Sequence, residues 1–194
     1  QNQYQPGAEE MELFILVLKK QNKHEEALEK LNTFLSRPLG PVLNDGVDFE
    51  ANPGKVKMQK LKGMNMRSEL LLHLKDYPNL YLNSLEILKV FPDQWECHLS
   101  VMDNFVFNSE LSTPMDERIN TFLTFVRELQ AAHPKLRGPR LAEIHLFLRA
   151  VAANNGSMTF WPSSQGHTNV INEVFFLTTA FMEAFSTKQC CFSD

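Results

Sequence analysis

The sequence predicts an all-α protein made of consecutive antiparallel helical hairpins. Apolar residues recur at i, i+3, i+4 and i+7 along most of the chain, the spacing of one buried helix face. No stretch alternates apolar and polar residues for long, and no Asn-Gly turn joins two alternating runs. Proline and glycine punctuate the periodic stretches.

Taken in order, the first helix runs from about Ala8 to Gln21 on a stripe of Met11, Phe14, Ile15 and Leu18. After a polar break at Asn22-Lys23, a second helix starts near His24. It carries Ala27, Leu28, Leu31, Phe34 and Leu35 on one face and stops at Arg37-Pro38, because a residue before proline disfavours helix. Two amphipathic helices with so short a link form a hairpin. A Pro/Gly-rich loop follows over 37–54, long for a compact domain. A second hairpin occupies 55–92, with helices at about Val56 to Leu74 and Asn79 to Val90. Further hairpins fill 93–194. The first of their helices runs from Trp95 to about Phe107, with Leu99, Met102, Phe105 and Val106 inward. Thr113-Pro114-Met115-Asp116 then opens a helix with Thr at the N-cap, Pro at N1 and an acid at N3. Its stripe is Ile119, Phe122, Leu123, Val126 and Leu129. The next helix, after Gly138-Pro139, has Leu141, Ile144, His145, Leu148 and Ala152 as its apolar face. The last, about Asn169 to Ser186, packs through Val170, Val174, Phe181 and Phe185.

Composition narrows the function. Of 194 residues, 43% are hydrophobic and 22% charged, which excludes an intrinsically disordered chain. Nineteen basic against 23 acidic residues give a net charge of -4, which argues against a dedicated nucleic-acid binder, so no direct DNA binding is expected. The longest apolar run, Leu13 to Leu18, is far short of a membrane span. Three cysteines, Cys97, Cys190 and Cys191, are too few and of the wrong parity for a secreted disulfide framework. A reducing, cytoplasmic setting is expected. The chain begins at Gln1 without an initiator methionine, so a fragment of a longer protein is expected.

Hairpins of this size match the degenerate pattern of tetratricopeptide repeats, with Ala27 and Leu80 as equivalent anchors 53 residues apart. Each hairpin buries one side of itself, so the expected architecture is a curved solenoid whose concave face is lined by the first helix of each pair. The residues projected onto that face are Glu9, Glu12, Leu16 and Lys19, then Asn65, Glu69, Leu72 and His73. Leu16 and Leu72 are its two apolar anchors. Two basic stretches stand out from the acidic average. Lys55, Lys57, Lys60, Lys62 and Arg67 fall in a window with no acid, and His133, Lys135, Arg137 and Arg140 cluster about a turn. Either could meet an acidic partner or ribosomal RNA phosphate, or be a solvated face.

Chemistry-bearing motifs are missing. Neither a phosphate-binding loop, a dinucleotide fingerprint nor a nucleophile elbow occurs. The acetyl-CoA loop of an acetyltransferase is missing too. Cys97-His98 and Cys190-Cys191 give adjacent residues pointing apart on a helix, with no frame for a tetrahedral metal site. The expectation is no catalytic, cofactor-binding or metal-ligating residue.

Four segments in series then become recognisable. These are Met11-Glu12-Leu13 through Glu25-Glu26-Ala27-Leu28; Asp93-Gln94-Trp95; Leu136-Arg137-Gly138-Pro139-Arg140-Leu141-Ala142; and Cys190-Cys191-Phe192-Ser193-Asp194. Together the chain resembles the central part of the auxiliary subunit of the N-terminal acetyltransferase B complex (NatB). The resemblance implies a tetratricopeptide-like right-handed superhelix that wraps a catalytic subunit of the GNAT fold and works at the ribosome. It implies acetylation of Met-Asp, Met-Glu, Met-Asn and Met-Gln N-termini, with acetyl-CoA held by the catalytic partner. Gln189, where the family tends to have proline, and the divergent segments Arg37 to Gly54 and Gly156 to His167 depart from the family pattern. On the residues alone, an unrelated adaptor of the same repeat type remains the alternative.

Overall fold

A computed structural model of the chain describes residues 8–36, 53–157, 159–162, 165–166 and 169–186. It forms two compact units, Gln1–Asn83 and Ser84–Asp194. Among the described residues every regular element is helical, so the all-α class holds. The division falls inside the fourth helix, and most of the 37–54 loop lies outside the described residues.

The first unit contains α1 (Ala8–Lys20), α2 (His24–Leu35), α3 (Pro53–His73) and the start of α4 (Tyr77–Val90). Pro53 and Gly54, read from sequence as loop, open α3, where a proline lacking an N–H costs nothing in the first turn. The same device ends α1 and α3. Asn22 and Lys75 sit at φ 58° and 56°, and the next amide bonds back to the helix: Lys23 N to Leu18 O at 2.9 Å and Asp76 N to Leu71 O at 2.9 Å. This is the Schellman closure, in which a left-handed residue satisfies the last carbonyls. The next helix starts at once in both hairpins. The Asp76 carboxylate accepts from the Asn79 side chain at 2.7 Å, fixing the entry to α4.

Met11, Ile15, Leu18, Ala27, Leu31 and Leu70 form one core across α1, α2 and α3. Phe14, assigned to the stripe, lies at its edge and is 43% exposed. Gly63 admits α2 to α3: a Cβ there would stand 2.8 Å from Leu35 Cδ2. Asn83 is buried and saturated, donating to Met64 O at 2.9 Å and Ser68 Oγ at 2.7 Å and accepting from Arg67 Nε.

The second unit contains α5 (Trp95–Val101), α6 (Met115–Ala132), α7 (Gly138–Ala153) and α8 (Val170–Ser186). Beyond α5 the chain opens into a π turn, Met102–Val106, instead of continuing as α-helix. Arg118 collects one carbonyl within it and one just beyond it, its Nη1 donating to Phe105 O and Asn108 O at 2.6 Å each. Pro114, in extended conformation, occupies the N-cap of α6, so the cap is not Thr113 and no side chain closes it. The α6 stripe of Ile119, Phe122, Leu123, Val126 and Leu129 is buried as its spacing requires.

Helix α7 is rotated from the face read in its sequence. Ala142, Leu146, Phe147 and Ala150 are buried, whereas Leu141, Leu148 and Ala152 are exposed. Apolar residues surround this helix, so periodicity alone does not choose the face. The choice is made by Glu143, which is buried because Arg127 Nε at 2.8 Å and Gln130 Nε2 at 2.7 Å donate to its carboxylate. Helix α8 behaves likewise. Glu173 and Leu177 are buried, while Val170, Val174 and Phe181 are half-buried; the Phe185 side chain lies outside the described residues. Trp161 Nε1 donates to Glu173 Oε1 at 3.1 Å and its ring meets Phe147 edge-on at 4.9 Å.

Candidate partner-binding groove

Two ion pairs define the relation of α1 to α3. Lys62 Nζ meets Glu12 Oε2 at 2.5 Å and Lys19 Nζ meets Glu69 Oε2 at 2.6 Å. Each joins residues 50 positions apart, and both numbers rise together, so the two helices run parallel. Parallel neighbours in an all-helical unit need a return helix between them, and α2 supplies it. The glutamate precedes the lysine on α1 and follows it on α3, which leaves all four charges matched.

A groove of about 550 Å³ runs along both pairs, lined by Leu16, Met58, Gln59, Leu61, Asn65 and Met66 beside the four charged residues. Five of the eight projected partner-facing residues meet here: Glu12, Leu16, Lys19, Asn65 and Glu69. Glu9 lines an adjoining cleft with Phe34 and Gly63. Leu72, 46% exposed, and His73 lie outside the groove. His73 instead packs its ring on His24 with centroids 3.8 Å apart. Desolvation first, then the neighbouring His73 and Lys19, lower the His24 pKa below the ordinary histidine value.

The basic segment divides. Lys62 belongs to the groove and is neutralised by Glu12. Lys60 is exposed, and Arg67 is half-buried against Asn83. The side chains of Lys55 and Lys57 lie outside the described residues. In the other basic cluster Arg140 Nη2 lies 3.5 Å from Pro134 O, just past the end of α6.

The second unit explains two of the sequence segments. Asp93 Oδ1 accepts the Gly138 amide at 2.6 Å, closing the N-terminus of α7. A Cβ on Gly138 would stand 2.8 Å from both Asp93 Cα and Pro92 O. The Pro92 carbonyl also accepts from buried His98 Nε2 at 2.8 Å. Trp95 stacks obliquely on His145 at 5.6 Å. Asp93-Gln94-Trp95 and Arg137-Gly138-Pro139 are therefore two halves of one clasp. Sequence reasoning treated them separately because Asp93 and Gly138 stand 45 positions apart.

The groove's charges were legible in principle: Glu12 and Lys19, and Lys62 and Glu69, stand seven residues apart in opposite order. The buried polar groups His98, Arg118, Glu143 and Glu173 carry no such local signal. Among the described residues no three His, Cys, Asp or Glu side chains gather to hold a metal, and no helix is long and apolar enough to cross a membrane. Burial first, then Glu96, pushes the Cys97 thiol up to about 11, which keeps it protonated. Cys190 and Cys191 lie outside the described residues. No family model, curated protein or solved structure matches the chain.

Proposed function

We propose that the chain is a non-catalytic scaffold of stacked helical hairpins that binds a partner protein along the α1–α3 face. The observation that carries this reading is the repeated geometry of the first unit. Parallel α1 and α3 are tied by two pairs of equal offset, and their closing turns, Asn22 and Lys75, are 53 residues apart. That distance equals the one between the repeat anchors Ala27 and Leu80. The equal spacing supports a tandem hairpin array of the tetratricopeptide type, in which the first helices line the inside and the path becomes superhelical as more hairpins are added.

The finer reading is the auxiliary subunit of a NatB-type complex, working in the cytoplasm at the ribosome. It is supported by the four sequence segments, two of which form the Asp93–Gly138 clasp. In this reading the GNAT-fold partner holds acetyl-CoA and performs the transfer, and this chain positions it. The test is co-expression with a NatB-type catalytic subunit, followed by sizing and acetyl transfer to a Met-Asp peptide. A stoichiometric complex more active than the catalytic subunit alone is expected, and the isolated chain should not bind acetyl-CoA. Separate elution with unchanged activity would leave a general helical adaptor as the better account.

A further inference from the structure

The chemistry of the groove points to a particular kind of occupant. Its four charged side chains are satisfied by one another, in Glu12–Lys62 at one end and Lys19–Glu69 at the other. A charged ligand finds each of them already neutralised across the groove and gains little from it. An uncharged segment leaves both pairs intact. Between the pairs stand Leu16, 42% exposed, and half-buried Met66; the groove continues past the Glu12–Lys62 pair over Leu61 to Met58, 60% exposed. Unbranched methionine adapts its shape to what it meets.

Asn65 stands in this apolar window. Its amide has no hydrogen-bond partner among the described residues, and it is half-buried. An asparagine amide carries donors and an acceptor side by side, the complement of a peptide backbone unit. A helix offers no such unit in its middle, because its backbone groups already bond within the helix. An extended segment does. The window spans the seven positions from one pair to the other, about 10 Å of helix axis. That length takes about three residues of extended chain at ~3.3 Å each.

We propose that the α1–α3 groove binds an extended, uncharged apolar peptide segment of a partner protein, with Asn65 reading its backbone and the two ion pairs excluding charged side chains. This deepens the scaffold reading and rests on that face being the partner-facing one. It does not depend on which partner is bound.

The test uses the whole chain and fluorescein-labelled, end-blocked peptides followed by anisotropy. The probe is Gly-Ser-Leu-Val-Leu-Ser-Gly; its controls are Gly-Ser-Asp-Val-Asp-Ser-Gly and the probe N-methylated at the central amide. The apolar probe should bind at least tenfold tighter than the acidic one. Met58→Glu, at an exposed position that the fold tolerates, should weaken binding at least tenfold. Asn65→Ala should weaken it about fivefold, the scale of one hydrogen bond. N-methylation should cost the parent a similar factor and the Asn65→Ala variant nothing more. Failure of the apolar probe to bind, equal binding of the acidic peptide, or indifference to Met58→Glu overturns the proposal. So does additive loss from N-methylation and Asn65→Ala, or tighter binding of a helix-stapled version of the probe. Peptide binding without complex formation removes the NatB reading alone; complex formation without peptide binding removes this one.

Discussion

Gly138→Ala is expected to destabilise the second unit even though alanine is the better helix former. In an open helical site the exchange gains up to about 1 kcal/mol. At Gly138 the new methyl would lie 2.8 Å from Asp93 Cα, 2.8 Å from Pro92 O and 2.9 Å from Asp93 Oδ1. Two of those atoms are backbone and cannot rotate away. The third is held by its bond from the Gly138 amide. Overpacking of this kind costs ~1–3 kcal/mol, and the rigid neighbours put it at the upper end. Pulling Gly138 back from Asp93 adds about 1 kcal/mol for the lost cap. The net loss is about 2–3 kcal/mol, or a Tm drop of about 5–10 °C for a chain of this size. Both tryptophans, Trp95 and Trp161, lie in the second unit, so urea unfolding read by their fluorescence isolates the effect. Two other glycines calibrate it by circular dichroism. Gly54 meets nothing within 4 Å, so Gly54→Ala should be neutral or stabilising. Gly63 meets only the movable end of Leu35, so Gly63→Ala should fall between. If Gly138→Ala stays within 0.5 kcal/mol of the parent, or Gly54→Ala costs as much, the clasp reasoning fails.

Two further outcomes test the buried polar groups. His98 Nε2 must donate to Pro92 O, which leaves buried Nδ1 without a partner; burial lowers its pKa despite the opposing pull of Pro92 O and Asp93. The folded chain therefore refuses a proton that the unfolded chain accepts. Stability should be full above about pH 6.5 and fall below it by at most ~1.4 kcal/mol per pH unit, levelling at the folded pKa. Urea midpoints at pH 7.5 and 5.5 check this, and a His98→Asn variant that keeps the same pH slope would sink it. Arg118→Met should cost about 2–3 kcal/mol, because Phe105 O and Asn108 O each lose a charged donor at 2.6 Å. An unchanged fluorescence-monitored midpoint would contradict that.

Much of the helical layout was legible because amphipathic spacing and breakers agree. In α2 and α6 a single apolar arc coincides with a clear polar remainder, and the buried residues follow from position alone. Helix α7 shows where this stops. Leu141, Leu148 and Ala152 compete with Ala142, Leu146 and Ala150 for the interior, and neighbours rather than periodicity decide. The deciding partners, Arg127 and Gln130, lie 16 and 13 residues from Glu143. The π turn after Val101 is hidden for the same reason, since Arg118 that stabilises it belongs to the next helix.

The candidate groove was legible one helix at a time but not as a chemical whole. Projection placed Glu12, Leu16 and Lys19 on one helix and Asn65 and Glu69 on another, and these residues meet. Reading Lys62 as part of a basic contact stretch missed its pairing, because charge along the sequence does not report charge across helices. Once Lys62 is counted with Glu12 and Lys19 with Glu69, the face changes from a mixed-charge surface to a neutral apolar window with an unpaired amide. Each exposed pair contributes only ~0–1 kcal/mol to stability, so their weight lies elsewhere. They set the register of α1 against α3 and close both ends of the window to charge. Swapping Glu12 with Lys62 keeps the pair and the groove's neutrality, whereas Lys62→Glu alone spoils both; a surface used only for solubility would treat these changes alike.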